Sequence, residues 1–151
     1  MKKIIVFSTL ILVSLLLLVG CKYNKVERGD TTHQSMEIDK VKVTINDKTY
    51  IINLEDNDTA QKLVELAPFE VTMKDLNGYE KYVYLASSFP VHPYEPNEIK
   101  KGDVMLFDTS CVVIFYKSVN LPFSYTKIGH IDNLDDLGNE DVIAKFERIN
   151  K

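Results

Sequence analysis

The stretch GDVMLFDTSCVVIFY, from Gly102 to Tyr116, limits most strongly what this chain can fold into. Two apolar runs, Val104–Phe107 and Cys111–Tyr116, flank the polar, turn-forming residues Asp108–Ser110. Short runs rich in Val, Ile and Phe are too brief for most helices. Bounded in this way, they predict two paired strands that are buried on one or both faces. We therefore expect the core of the domain to form on this hairpin.

The N-terminal segment has the pattern of an export signal. Lys2 and Lys3 supply positive charge, and Ile4–Leu18 is apolar except for two serines and one threonine. This apolar run is shorter than the roughly 20 residues that a membrane-spanning helix needs. Residues 1–20 are therefore predicted to be a signal peptide.

The tetrapeptide Leu18-Val19-Gly20-Cys21 follows this run and resembles the lipobox of bacterial lipoproteins. The resemblance implies that the precursor is cut before Cys21 and that the Cys21 sulfur carries a diacylglycerol. Two acyl chains anchor a protein stably, whereas a single chain holds it only marginally. We expect the mature protein to be held by lipid on the extracytoplasmic face of the cell membrane. The alternative is a plain signal anchor with a chance cysteine.

The rest of the chain is acidic and divides into a tether and one domain. Residues 21–36 are polar and aperiodic, which predicts a flexible tether, and residues 37–151 are predicted to form the folded domain. Without residues 1–20 the chain has 16 basic and 22 acidic residues, a net charge of −6. Nucleic-acid binding asks for a clustered basic surface, so we expect no such partner. With Cys21 lipidated, Cys111 has no disulfide partner and is predicted to be a small core residue.

Alternating apolar residues before the helix predict another hairpin with one buried face: Val41, Val43, Ile45, Tyr50, Ile52 and Leu54. Asp58–Gln61 then has the pattern of a capping box, which starts a helix. An apolar stripe from Ala60 to Ala67 continues that helix, and Pro68 ends it.

The second half of the domain is read mainly as strands and loops. Val71–Met73 and Tyr79–Leu85 predict a strand pair around the turn dipeptide Asn77-Gly78. The three prolines between residues 86 and 102 predict a long surface loop. Tyr125–Ile131 predicts a further strand.

The C-terminal region gives weaker patterns. Leu134–Leu137 predicts one helical turn, which Gly138 ends. Val142, Ala144 and Phe146 alternate as in a strand, although a helix that includes Ile143 and Ile149 fits almost as well.

Strands thus outnumber helices, which predicts a mainly β fold: a closed or nearly closed barrel with one or two short helices. Residues 41–137 resemble the cyclophilin-like fold, particularly its small, mostly uncharacterised bacterial branch. The matching stretches are VTINDKTYIINLEDNDTAQKLVELAP, MKDLNGYEKY, IKKGDVMLFDTSCVVIFY and SYTKIGHID.

The resemblance raises the expectation of prolyl isomerase activity, but the residues that carry that activity in cyclophilins do not match. The arginine of cyclophilins falls in the region Tyr79–Tyr82, which has none. Their aromatic pair falls on Val112 and Val113, and their active-face histidine falls on Tyr125. Lys81 is no substitute for a planar guanidinium that polarises the prolyl amide.

Other catalytic patterns are weak, and we expect no catalytic residue, no cofactor and no metal site. His92 and Glu95 lie in the proline-rich loop, whereas a metal needs three or four convergent ligands. His130 is predicted to be a structural histidine that shares a strand face with Ile128. The acidic residues between 132 and 141 lack the spacing of a calcium-binding loop, and neither a phosphate loop nor a nucleophile elbow is present.

Tyrosines on a barrel offer apolar area with a hydroxyl group, and several near one face predict a recognition cleft. The candidate ligand-binding residues are those on the face where cyclophilins hold their peptide: Tyr79, Glu80, Lys81, Tyr82, Phe89, His92, Tyr94 and Tyr125. The sequence therefore favours a lipid-tethered binding module for a peptide or small ligand. One alternative is an enzyme, a weak or altered peptidyl-prolyl isomerase acting on extracytoplasmic proteins. Another is a structural partner of a membrane protein.

Overall fold

The computed structural model describes residues 39–149, so the predictions for the signal peptide, Cys21 and the tether lie outside the described residues. In this range the chain forms eight strands and one helix. The elements are β1 (Lys40–Ile45), β2 (Lys48–Leu54), α1 (Asp58–Leu66), β3 (Phe69–Leu76), β4 (Glu80–Tyr84), β5 (Asp103–Phe107), β6 (Cys111–Phe115), β7 (Thr126–Ile131) and β8 (Val142–Arg148). The single helix of residues 39–149 is too short to cross a membrane.

The strands close into an antiparallel barrel in the order β1-β2-β7-β5-β6-β4-β3-β8. Strand β8 completes the barrel because it pairs with β1 on one side and with β3 on the other. Phe146 is opposite Val43 in the first ladder and opposite Phe69 in the second, where the two phenyl rings stack with centroids 4.7 Å apart. The prediction of a mainly β, closed barrel is confirmed, and the open choice at the C-terminus is resolved as a strand.

The hairpin of β5 and β6 is buried on both faces, which settles the choice between one and both faces that its apolar runs left open. Val104, Leu106, Val112 and Ile114 belong to the core inside the barrel. The alternating residues Met105, Cys111, Val113 and Phe115 belong to a second apolar cluster, together with Ile99 and Tyr125. Because neighbours on a strand point to opposite faces, this second cluster lies on the outer face of the barrel wall.

The helix begins one residue earlier than the capping-box pattern indicates. Asn57, in extended conformation, is the N-cap, and its Oδ1 accepts the Ala60 N–H at 2.8 Å. Its amide group also donates to the Lys127 carbonyl at 3.0 Å, which ties the helix start to β7. The predicted box at Asp58 is therefore wrong by one position, since Asn and Asp are equally good caps and adjacent here. The predicted apolar stripe is buried at Ala60, Leu63 and Val64.

The helical turn predicted at Leu134–Leu137 does not form. Leu134 is buried in the barrel core instead, and its neighbour Asp135 accepts a hydrogen bond from the Tyr50 hydroxyl at 2.9 Å and pairs with Lys48. These contacts to β2 hold the segment in an irregular path across the barrel end. Tertiary contacts thus decide the conformation of a segment too short to form a stable helix by itself.

A β-bulge in β7 changes the side on which His130 lies. Val104 is opposite Gly129 and Met105 is opposite Lys127, so β7 carries one extra residue, Ile128. At Gly129 a Cβ atom would lie 2.4 Å from the Asn53 carbonyl oxygen, so the strands approach there too closely for a side chain. Ile128 and Ile131 consequently both reach the core. The prediction that His130 shares a strand face with Ile128 is therefore wrong.

Candidate ligand-binding cleft

A cleft of about 420 Å³ lies on the outer face of the barrel, over β4 and β6. Its walls combine six aromatic rings with apolar side chains and one carboxyl group. The lining residues are Leu76, Asn77, Tyr79, Glu80, Tyr82, Tyr84, Phe107, Cys111, Val113, Leu121, Phe123 and Tyr125. Among the residues that the structure describes, no lysine, arginine or histidine lines this cleft.

The alternation of β4 determines which of its side chains reach the cleft. Glu80, Tyr82 and Tyr84 line it, and in the ladder with β6 they are opposite Phe115, Val113 and Cys111. Directly opposed residues of an antiparallel pair share one face, so these six side chains form a continuous outer surface. The tyrosine rings of residues 82 and 84 meet edge-on, with centroids 6.1 Å apart.

Two long loops, residues 85–102 and 116–125, lie over the outer face of β5 and β6, and the second contributes Leu121, Phe123 and Tyr125 to the cleft wall. They are joined by backbone hydrogen bonds, between Ile99 and Val119 at 2.9 and 3.0 Å and between Tyr94 and Tyr125 at the same distances. Tyr125 is only 4% exposed, and its ring lies 5.6 Å from the rings of both Phe107 and Phe115. These contacts place Tyr125 against the barrel wall.

Glu80 is the buried polar residue of the cleft. It is 5% exposed, and its Oε2 atom has no hydrogen-bond partner among the residues that the structure describes. Burial raises the pKa of this carboxyl group to about 7, and the nearby negative charge of Asp75 adds to the effect. Burying an unpaired carboxylate is costly, so the side chain holds its proton until near neutral pH.

Cys111 and Tyr125, which also line the cleft, stay uncharged near neutral pH. Burial raises the pKa of the Cys111 thiol to about 11, and burial likewise raises the pKa of the Tyr125 phenol. The proximity of Glu80 contributes to both shifts. Cys111 is a buried side chain in a strand, as the sequence predicts, and its thiol has little nucleophilic character there.

Four of the residues predicted to bind ligand share this cleft: Tyr79, Glu80, Tyr82 and Tyr125. Lys81 does not, because it is fully buried on the inner side of β4. There its Nζ atom donates to Asp75 Oδ1 and to the carbonyl oxygens of Gly138 and Glu140, at 2.7, 2.6 and 2.7 Å. A lysine between two outward residues of a strand must point inward, and these acceptors compensate for its burial.

The remaining three candidates lie outside the cleft. Phe89 is buried in the barrel core, and the Tyr94 side chain is 43% exposed beyond the cleft walls. His92 is exposed, with its Nε2 atom 2.6 Å from Asp58 Oδ1 at the helix start. Proline density correctly indicates a loop, but it does not indicate which loop side chains fold back into the barrel.

The sequence reading missed several cleft residues, above all Phe107 and Phe123. Both also line an adjoining pocket of about 490 Å³, which shares Phe107, Phe123 and Tyr125 with the cleft. Phe107 follows Met105 by two residues on β5, so strand alternation could have placed it on the outer face. Phe123 lies in a loop after Pro122, where the sequence has no period to use.

The histidines and acidic residues form no evident metal centre in the described range. His130 Nδ1 lies 3.0 Å from Asp103 Oδ1, and His130 Nε2 lies 3.7 Å from Asp132 Oδ1. No group of three or more His, Cys, Asp or Glu residues within 39–149 could hold a metal ion. These contacts join neighbouring strands and a turn.

Comparisons with known proteins agree with the barrel topology. The sequence model of the Cyclophilin-like family matches residues 43–147, which is most of the described barrel. No curated protein and no solved structure matches the chain. The three regions at which cyclophilin active residues fall each contribute a side chain to the cleft, namely Glu80, Val113 and Tyr125. With a matching model over more than two thirds of its length, the chain belongs to the cyclophilin-like family.

Proposed function

We propose that this protein is a lipid-tethered, extracytoplasmic binding module whose outer cleft holds a peptide or small ligand without catalysing a reaction on it. The observation that carries the proposal is the cleft itself, in which six aromatic rings surround a single buried carboxyl group. Binding sites are typically clefts of about 300–1,000 Å³ with mostly apolar walls and a few polar groups, and this cleft matches that description.

The adjoining pocket favours an elongated ligand. It meets the cleft at Phe107, Phe123 and Tyr125, so the two hollows follow each other along the barrel wall. Phe123 is 49% exposed and Phe107 is 37% exposed, which leaves apolar ring area free between the hollows. An extended peptide can place one side chain in each hollow and cover these rings.

The charges of the cleft argue against prolyl isomerisation. Cyclophilins use an arginine that polarises the prolyl amide. In this chain the region that resembles it contributes the acidic Glu80 to the cleft. Lys81, the basic residue beside it, is directed into the barrel by its contacts with Asp75 and two carbonyl oxygens. A carboxyl group cannot supply the positive charge, so the cleft has the means to bind but not to catalyse in this way.

The tether rests on the sequence alone. A signal-like segment followed by Leu18-Val19-Gly20-Cys21 resembles the processing site of lipoproteins, and residues 22–36 are long and polar enough to separate the barrel from the bilayer. This arrangement would present the cleft to peptides or small molecules outside the cytoplasm.

Binding can be tested with the full chain in lipid nanodiscs and two blocked peptides, acetyl-Ala-Ala-Pro-Phe-amide and acetyl-Ala-Lys-Pro-Phe-amide. Titration followed by amide NMR shifts should place the changes at cleft residues for at least one peptide. Tyr82→Ala should weaken that binding by about tenfold, since it removes a ring of the cleft wall. Ile143→Ala, on the exposed outside of β8, is the control and should change nothing. Absence of binding by both peptides, or shifts confined to other surfaces, contradicts the proposal.

A further inference from the structure

The Glu80 carboxyl group is buried, and one of its oxygens is unpaired among the described residues. Its Oε2 atom is inaccessible to solvent and makes no hydrogen bond within residues 39–149, while buried polar atoms in folded proteins nearly always have a partner. Glu80 lines the cleft and is only 5% exposed, so the carboxyl group lies at the base of the cleft. A cation at the base of the cleft can therefore pair with the carboxyl group from the side on which Glu80 lines the cleft.

The surroundings of this carboxyl group suit a positively charged donor. No basic side chain among the described residues lines the cleft, so the protein itself leaves the carboxylate without a counter-charge there. The walls beside it are phenol rings, those of Tyr79, Tyr82 and Tyr125. Aromatic rings attract ammonium groups through the negative potential of their faces, and a buried carboxylate attracts them more strongly.

We propose that the cleft recognises an organic ammonium group, such as the side chain of a lysine in an extended peptide, by pairing it with Glu80 among the tyrosine rings. This inference deepens the proposed binding function and rests on it. An ammonium group on an apolar stem fits both features of the cleft, since the stem packs on the rings while the charged end reaches the carboxylate. A free primary amine would present the same group without the peptide.

Binding of a cation should depend on pH through Glu80. The groups around the carboxyl are Asp75 on β3, Cys111 on β6, and the phenols Tyr79, Tyr82 and Tyr125. Asp75 stays ionised because hydrogen bonds from Lys81, Tyr116 and the Gly78 N–H outweigh its burial and lower its pKa. Cys111 and Tyr125 stay protonated because burial raises the pKa of each. Between pH 6 and pH 8 the charge at the base of the cleft therefore changes through Glu80.

The test compares two peptides that differ by one charge. The full chain in nanodiscs is titrated with acetyl-Ala-Lys-Pro-Phe-amide and with the same peptide carrying Nε-acetyl-lysine. We expect the charged peptide to bind at least tenfold more tightly at pH 8. Its affinity should rise about tenfold from pH 6 to pH 8, because a carboxyl group with a pKa of about 7 goes from one-tenth to nine-tenths ionised. A parallel titration with n-butylammonium shows whether the ammonium group binds in the cleft without the rest of the peptide.

Glu80→Gln should reduce the charged peptide to the affinity of the acetylated one and remove the pH dependence. Glu70→Gln, which removes a charge from an exposed position of β3, is the matched control. It should leave the affinity for the charged peptide and its pH dependence unchanged. Carboxyl NMR of the unsubstituted chain provides a reading that needs no variant, since bound peptide should lower the pKa of Glu80. Equal binding of the two peptides overturns this inference and leaves the proposed function standing. Binding of neither peptide overturns this inference, and it overturns the proposed function as well if acetyl-Ala-Ala-Pro-Phe-amide also fails to bind.

Discussion

Lys81 Nζ lies 2.7 Å from Asp75 Oδ1 on the inner side of β4, while the adjacent Glu80 lines the outer cleft. The lysine is fully buried, and its charge is compensated by Asp75, by two carbonyl oxygens and by the Tyr116 ring, whose centroid is 4.9 Å from Nζ. The Tyr116 hydroxyl also donates to Asp75 Oδ1 at 2.6 Å. This network gives Lys81 a structural role and leaves the cleft acidic.

Lys81→Met should destabilise the barrel strongly. The substitution leaves Asp75 with an uncompensated charge and the Gly138 and Glu140 carbonyl oxygens without their donor. Breaking a buried pair in this way costs about 3–5 kcal/mol. Urea unfolding followed by circular dichroism measures the free energy of unfolding. Lys145→Met removes an exposed lysine from β8 and should cost less than about 1 kcal/mol, as surface pairs do. Equal stabilities of the two variants would contradict the proposed role of Lys81.

The raised pKa of Glu80 should make the barrel less stable as the pH rises. Between pH 4.5 and about 7 the folded state holds a proton that the unfolded state releases, so the free energy of unfolding falls across this window. Glu80→Gln keeps the shape without the charge. It should raise the free energy of unfolding by up to about 3 kcal/mol at pH 8 and change it little at pH 4. Glu70→Gln serves as control, and parallel pH profiles for all three proteins would show that Glu80 titrates normally.

Val113→Asp should prevent stable folding, although Val113 lies outside the barrel core. The residue is 2% exposed within the outer apolar cluster, beneath the cleft. A carboxylate there has no basic partner lining the cleft, and burying such a charge costs several kcal/mol of a total of about 5–15. Ile143→Asp places the same charge on a position of β8 that is 55% exposed and should melt like the parent protein. Normal melting of the Val113 variant would show that the loops do not seal this face.

Cys21→Ser should abolish acylation and leave the precursor uncut. The lipobox resemblance assigns the cysteine sulfur as the atom that carries the lipid, and a serine hydroxyl does not replace it. Growth with labelled fatty acid followed by electrophoresis measures both the label and the mass of the product. Cys111→Ser, at the buried cysteine of β6, should remain labelled. Incorporation of labelled fatty acid into the Cys21 variant would contradict the prediction that Cys21 carries the lipid anchor.

The strands were predictable because their side-chain patterns are local. The β5–β6 hairpin and the β1–β2 hairpin follow from apolar runs and alternation. The excess of strands, together with the family resemblance, predicts their closure into a barrel. The bulge at Ile128 was not predictable, since it depends on the approach of Gly129 to Asn53 from another strand. The path of residues 134–137 likewise depends on contacts with Lys48 and Tyr50, far away in sequence.

The cleft was predictable only where it follows strand alternation. Glu80 and Tyr82 are two residues apart on one face of β4, whereas Lys81 between them faces inward. The sequence nevertheless predicts all three as members of the same candidate site. Phe89 and Phe123 come from loops, and their opposite positions, one in the core and one on the cleft, are decided by the tertiary fold. The unpaired state of Glu80 required the structure, because it is a property of all neighbours together.

Exchange NMR, which records binding and isomerisation in the same sample for each peptide, tests the central claim of binding without isomerisation most directly. The full chain in nanodiscs is mixed with acetyl-Ala-Lys-Pro-Phe-amide and, separately, with acetyl-Ala-Ala-Pro-Phe-amide, and both chemical shifts and cis–trans exchange of the prolyl bond are recorded. We predict shift changes at Tyr79, Tyr82 and Tyr125 with at least one peptide, while exchange stays at the slow rate of the free peptide, tens of seconds or longer. Tyr125→Ala should weaken the binding and leave the exchange rate unchanged. Accelerated exchange that depends on the protein concentration and is lost in Tyr125→Ala would contradict the account and identify the cleft as an isomerase site.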